Sequence, residues 1–166
     1  MQQDRCIYKY LMEPSEIARA IGAECLCFRS RRLARVLTRH FDEALRPAGI
    51  QATQLTLLAA IAGPGPAGQS MPRLHEFLAM DPTTLSRNLK PLQNGGLVVV
   101  ERAETDKRAR IVKLTADGER VLTKALPLWR AAQDRLIENL GEGGSVALRR
   151  QLELAAPFAE TAPLAA

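Results

Sequence analysis

Aromatic side chains make up only 4% of this 166-residue chain: one Trp, two Tyr and four Phe. Its core must therefore be built from Leu, Ala, Val and Ile, and an apolar content of 46% is enough for one domain or one compact fold with extensions. Cysteine is scarce as well. Three residues make no even framework, which excludes a disulfide-stapled fold and points to a reducing compartment. With two His and no His/Cys group at ligand spacing, neither a metal site nor a cofactor is expected. The chain has no Gly-rich phosphate loop, no nucleophile elbow and no HExxH, so an enzyme is not expected either. No apolar run approaches a membrane span, and MQQDRCIYKYLMEP lacks the apolar stretch of a secretory signal. A cytoplasmic protein with no membrane partner is the expectation.

What the chain does have is positive charge. The net charge is +5 and the sequence pI about 9.5, which favours a polyanionic partner. The most informative stretch is 80–115, MDPTTLSRNLKPLQNGGLVVVERAETDKRARIVKLT. Asp81 suits an N-cap and Pro82 the first helical position, so a helix starts here. Leu85, Leu89 and Leu92 follow at i, i+4 and i+7 and give it one apolar face. The other face carries Thr83, Ser86, Arg87 and Lys90, with Thr84 beside them. Small hydroxyls allow close approach to a groove, and Arg87 can reach guanine acceptors or a phosphate. Pro91 is expected to kink the last turn, and Gly95 with Gly96 stops the helix.

Val98 to Val100 and Arg110 to Leu114 then read as two short strands around a polar tip. Asp106 and Arg108 are close enough in such a tip to pair. Lys107, Arg108 and Arg110 form a positive cluster suited to phosphate, and an Arg at a hairpin tip can enter a narrow minor groove. On this reading Arg108→Ala weakens DNA binding and Asp106→Ala loosens the hairpin. A polar helix face beside a basic hairpin is the pairing duplex DNA needs, one part for base edges and one for phosphates.

The run from about Leu74 to Thr115 resembles the winged helix-turn-helix of the MarR family of bacterial transcription regulators. TTLSRNLKPLQNGGLV and DKRARIVKLT carry the resemblance. Asp106-Lys107-Arg108 matches the family's Asp-x-Arg wing signature, and FDEALRPAGIQATQLTLLAAI at 41–61 looks like the helices before it. Gln51 stands where the family often has a Thr or Ser cap, with Thr53 as a substitute, and the loop at 63–70 is richer in Gly and Pro than usual. The resemblance covers roughly residues 25–140. It implies a homodimer on a pseudo-palindromic operator, usually a repressor released by a small ligand or by thiol oxidation.

The expected fold is mainly α with a small β-hairpin wing: a winged helix-turn-helix plus a helical dimerisation region. Residues 1–48 form an N-terminal dimerisation helix region, 49–115 the DNA-binding domain, and 116–166 the C-terminal helices completing the dimerisation region. Residues 15–46 read as one long helix with Gly22 as its weak point, 52–62 as a second, and 71–79 as a third with Leu74, Phe77 and Leu78 inward. Thr115 caps a helix to about 140, striped by Leu122, Ala125, Trp129, Ala132, Leu136 and Leu140 and interrupted by Pro127. GEGG at 141–144 breaks the chain before a last helix over 145–158. Such stripes need more than one subunit to bury them, which favours a symmetric dimer.

For the signal, the resemblance implies a small molecule, often an aromatic carboxylate, and Arg31, Arg35 and His75 are the candidate anion contacts. Leu26-Cys27-Phe28 resembles the reactive-cysteine segment of the family's organic-peroxide-sensing branch, which makes Cys27 the redox candidate. That branch's activating tyrosines correspond here to Phe41 and Ala52, neither of which can donate a hydrogen bond. On one continuous helix, Cys25 and Cys27 would point in nearly opposite directions. Cys6 near the N-terminus is a further thiol. A winged-helix module that binds only acidic protein partners is the remaining alternative.

Overall fold

The computed structural model describes residues 13–102 and 109–161. Contacts divide the chain into two units, residues 1–40 and 41–166. In the first unit, α1 (Pro14–Glu24) is followed by α2 (Leu26–Leu45), which continues in sequence beyond residue 40. The expected single helix is thus two, and the break falls at Cys25 rather than at Gly22. Cys25 is extended, at φ −71° and ψ 111°. A Cβ at Gly22 would meet nothing within 4 Å, so that glycine is only a propensity cost. At Cys25 the chain has a ready exchange of hydrogen bonds. The Cys25 amide closes α1 on Ile21 O, and its Sγ accepts from Phe28 N at 3.4 Å at the start of α2. The Arg29 guanidinium donates to Ala23 O through Nε at 3.1 Å and Nη2 at 2.6 Å.

The second unit is a winged helix. A 3₁₀ turn (Arg46–Ala48) leads to α3 (Ala52–Ala62), then a 3₁₀ turn (Gly65–Ala67), β1 (Gln69–Ser70), α4 (Met71–Leu78) and α5 (Pro82–Asn94). The hairpin β2 (Val98–Arg102) and β3 (Arg110–Leu114) precedes α6 (Ala116–Leu140) and α7 (Glu142–Thr161). The sheet has the order β1-β3-β2 and is antiparallel throughout. Its core is aliphatic, as the composition demands. Leu45, Leu58, Leu74, Leu85, Leu92 and Val112 are fully buried, with Leu57, Ile61, Leu89, Val98 and Ala125 among them. The capping of α3 is by Gln51, not Thr53. The Gln51 amide donates to Gln54 Oε1 at 2.9 Å, and Asp42 Oδ1 accepts from Ala52 N at 2.7 Å.

Three details differ from the sequence expectation. Strand β1 is only two residues long, too short to give a period-2 signal, yet it completes the sheet. It is reached through Gly68 at φ 73°, where a Cβ would fall on the Val112 carbonyl, so the Gly-rich loop is tailored to bring the chain beneath β3. Phe77 does not point inward but is 74% exposed. In an eight-residue helix the stripe set by Leu74 and Leu78 is narrow, and Phe77 falls off its edge. Finally, α7 begins at Glu142. Only Gly141, at φ 70°, interrupts the chain, and Ser145 N already donates to Gly141 O at 3.0 Å.

The candidate nucleic-acid interface

Helix α5 is held by both ends and by its back. Asp81 caps the N-terminus, with Oδ1 accepting from Thr84 N at 2.9 Å. The Thr84 hydroxyl and then its amide hold the Asp81 carboxyl below its ordinary value of 3.8. A carboxylate whose pKa is lower in the folded state stabilises the fold above the unfolded value and loses that contribution as pH falls. Asp81→Asn keeps a capping oxygen without titrating. Below pH 3.8 the difference in thermal midpoint between wild type and Asp81→Asn should therefore shrink relative to neutral pH. Melts by circular dichroism across pH 3 to 7 check this, and a constant difference would mean that the cap is not charged in the way described.

At the other end, Gly96 adopts φ 70°, Gly96 N donates to Gln93 O at 3.0 Å and Leu97 N to Leu92 O at 2.9 Å. This is a Schellman ending, with Leu97 packed on the core beside Leu92. Pro91 lies within the last turns without ending the helix. Leu85, Leu89 and Leu92 fix the buried face. The opposite face presents Thr83, Ser86, Arg87 and Lys90, all exposed, as the sequence spacing predicts. Thr84 is half-buried with its hydroxyl engaged by Asp81. Asn88, also half-buried, turns its amide toward Met80 Sδ at 3.8 Å.

The hairpin stands beside this face. Its register pairs Val98 with Leu114, Val100 with Val112 and Arg102 with Arg110. Arg110 lines a groove of about 220 Å³ together with Ser86 and Gln93 of α5, so helix and hairpin form one surface. The sequence reading does not anticipate Arg102 or Gln93. Arg102 sits opposite Arg110, a pairing visible only once the register is known. Asp106, Lys107 and Arg108 lie outside the described residues. Lower on the hairpin, Lys113 Nζ pairs with Glu101 Oε2 at 2.9 Å.

Below the hairpin, one joint ties α5, β2 and α6 together. Thr115 N donates to Leu97 O at 3.0 Å, and its hydroxyl donates to Gly96 O at 2.6 Å. The same hydroxyl oxygen accepts from Gly118 N at 3.1 Å and caps α6.

The three expected anion contacts are exposed: Arg31 and Arg35 on α2, His75 on α4. Arg35 lines a groove with Arg32 and Arg39, and Arg31 does not. A groove of about 760 Å³ in the second unit is lined by none of them. Helix α3 contributes Leu55, Thr56 and Ala59 to it, and α4 contributes Phe77. Its other wall is Leu122, Thr123, Leu126 and Trp129 of α6. The sequence pattern assigns Trp129 and Phe77 to a core, because an apolar stripe reads the same whether it packs or lines a groove. Cys27 is exposed and Cys25 half-buried, and Cys6 lies outside the described residues. No group of metal-ligating side chains occurs among the described residues. None of the described helices is long and apolar enough to cross a membrane.

Comparison with known proteins gives the same picture. A family model described as the MarR family matches residues 48–109. The transcriptional regulator MosR of Mycobacterium tuberculosis, solved in complex with DNA, is 36% identical at a TM-score of 0.74, over 82% of this chain and 97% of its own. The transcriptional repressor CouR, bound to a 23-mer DNA duplex, is 25% identical at a TM-score of 0.73, over 82% of this chain and 95% of its own. The transcriptional regulator HosA of Escherichia coli is 40% identical over 57 residues, 34% of this chain. The match spans 42% of the length of that curated relative. With MosR matched over nearly its whole length, the chain belongs to the MarR family of winged-helix transcriptional regulators.

Proposed function

We propose that the protein is a homodimeric, sequence-specific DNA-binding repressor that acts in the cytoplasm, is not an enzyme, and is released from a pseudo-palindromic operator by a small molecule. The observation that carries this reading is the single surface made by the exposed polar face of α5 and Arg110 of the hairpin. Thr83, Thr84, Ser86, Arg87 and Lys90 meet the major groove. Arg110 and Lys107 meet phosphate, and Arg108, oriented by Asp106, enters the minor groove. Residues 49–115 act as the DNA-binding domain, with 1–48 and 116–166 serving dimerisation. Trp129 at 38% exposure and Leu140 at 41% leave apolar surface on α6 for a second copy to cover, and α7 adds Leu152 and Leu154.

Selection of genomic fragments by the purified full chain, followed by footprinting and size-exclusion chromatography, tests the reading. The expected result is a dimer protecting two inverted half-sites about 34 Å apart, one DNA turn. Protection without inverted symmetry, or by a monomer, would overturn it.

A second reading is supported by the α1–α2 break. Cys25 is not helical, so the opposed directions expected for Cys25 and Cys27 on one helix do not apply. With Cys25 Sγ accepting from Phe28 N and Cys27 exposed in the first turn of α2, thiol chemistry would act on a helix junction. If Cys27 is the sensor, Cys27→Ser keeps DNA binding under peroxide that releases the wild type. Release of both would end this reading.

A further inference from the structure

The hairpin carries its net positive charge on one face. Side chains alternate along paired strands, so Val98, Val100 and Arg102 of β2 share a face with Arg110, Val112 and Leu114 of β3. Val98 and Val112 are buried on that face. Its last cross-strand pair before the loop is Arg102 with Arg110, both exposed. On the opposite face Lys113 is paired with Glu101. In the loop sequence Glu104 and Asp106 offset Lys107 and Arg108 in formal charge. The net charge of the hairpin is therefore that of Arg102 and Arg110. We infer that these two guanidinium groups together hold a single phosphodiester of the DNA backbone. The inference rests on the regulator reading, because it names one contact of the proposed interface.

Residues directly opposite on a sheet stand with Cβ atoms about 4.5–5.5 Å apart, and like charges in such a pair cost stability. Among the described residues no carboxylate pairs with either arginine. An anion placed between the two guanidinium groups turns their repulsion into two charge-assisted contacts. The surroundings narrow the choice of anion. Arg110 lines the groove of about 220 Å³ with Val100 of the same hairpin face and with Ser86 and Gln93 of α5. None of the lining residues is acidic, and the Ser86 hydroxyl and Gln93 amide are further donors. The volume falls below the ~300–1,000 Å³ of sites that enclose a free small molecule. It suits instead a group that projects from a polymer held at other points. The exposed face of α5 offers those points, with Arg87 and Lys90 as its cations. A backbone phosphate bordering the major groove that α5 is proposed to enter meets each of these conditions.

Fluorescence anisotropy of the full chain on a random-sequence duplex, across a salt series, tests the clamp. Each phosphate left without its cation lowers the slope of log affinity against log salt by about 0.9. If one phosphate is shared, Arg102→Gln and Arg110→Gln each leave a guanidinium on it. Each single change should then keep the wild-type slope and weaken binding less than about tenfold. The double change should flatten the slope by about one per bound subunit. It should also weaken binding by more than the product of the two single changes, as coupled residues do. A slope flattened by about one per subunit in each single variant would mean two separate phosphates and overturn the clamp. A slope unchanged even in the double variant would take the pair off the interface and overturn it as well. Both positions are exposed and each change relieves the repulsion, so melting midpoints at or above the wild-type value are expected. Operator footprinting with the wild type reads the regulator proposal separately, since two protected inverted half-sites stand whatever the arginine variants give.

Discussion

Gly118→Ala is expected to destabilise the protein by roughly 2 kcal/mol, the reverse of what the same change does in an ordinary helix. Within a helix, Gly to Ala normally stabilises by about 1 kcal/mol. At Gly118, in the first turn of α6, an added Cβ would fall on the Leu97 carbonyl, with Leu114 Cδ2 at 3.5 Å behind it. That carbonyl cannot swing aside, because it accepts from Thr115 N. The obstacle is backbone, so relief requires moving the start of β2 against α6. Such overpacking costs about 1–3 kcal/mol or more after partial relaxation. In a chain of this size, 2 kcal/mol lowers the thermal midpoint by about 4–8 °C. Calorimetry at matched protein concentration checks it, since a dimer's midpoint moves with concentration. Gly143→Ala is the control: a Cβ there meets nothing within 4 Å, and its midpoint should stay or rise. Gly118→Ala behaving like Gly143→Ala would refute the close approach.

The second large effect concerns binding. Arg87→Ala with Arg110→Ala removes one cation from α5 and one from β3, on the surface proposed to face DNA. Each phosphate left without its cation should lower the slope of log affinity against log salt by about one. Affinity for random duplex at low salt therefore falls most, and the gap to wild type narrows as salt rises. Both residues are exposed, so folding is little affected. Fluorescence anisotropy across a salt series, with melting curves as a control, gives the result. An unchanged slope would move the interface to another face of the molecule.

The winged-helix element of this fold is written plainly in the chain because its signals are local. Asp81, Pro82, the Leu85-Leu89-Leu92 stripe and the Gly95-Gly96 stop define α5 without help from any distant residue. Thr115 as the cap of α6 is legible for the same reason. What the sequence hides depends on partners far along the chain. β1 is a strand only because β3 pairs with it, Gln69 with Val112 and Ser70 with Ile111. The break at Cys25 depends on a thiol and a guanidinium closing two helix ends, and no propensity scale marks it. Arg102 and Gln93 join the candidate interface through register and groove geometry. The apolar groove is illegible because Trp129 and Leu122 satisfy the same helical period as the buried Ala125.

The facing of Arg102 and Arg110 across the hairpin gives one pair of residues two opposite responses to salt. Like charges directly opposed on a sheet repel, so in the free protein added salt screens them and firms the end of the hairpin next to its loop. On the proposed interface phosphate would neutralise the same two charges, and added salt would compete with that neutralisation. Ionic strength would thus stabilise the unbound hairpin while loosening the proposed contact with nucleic acid. If the proposed interface holds, the repulsion between Arg102 and Arg110 is a small store of free energy that phosphate contact would release.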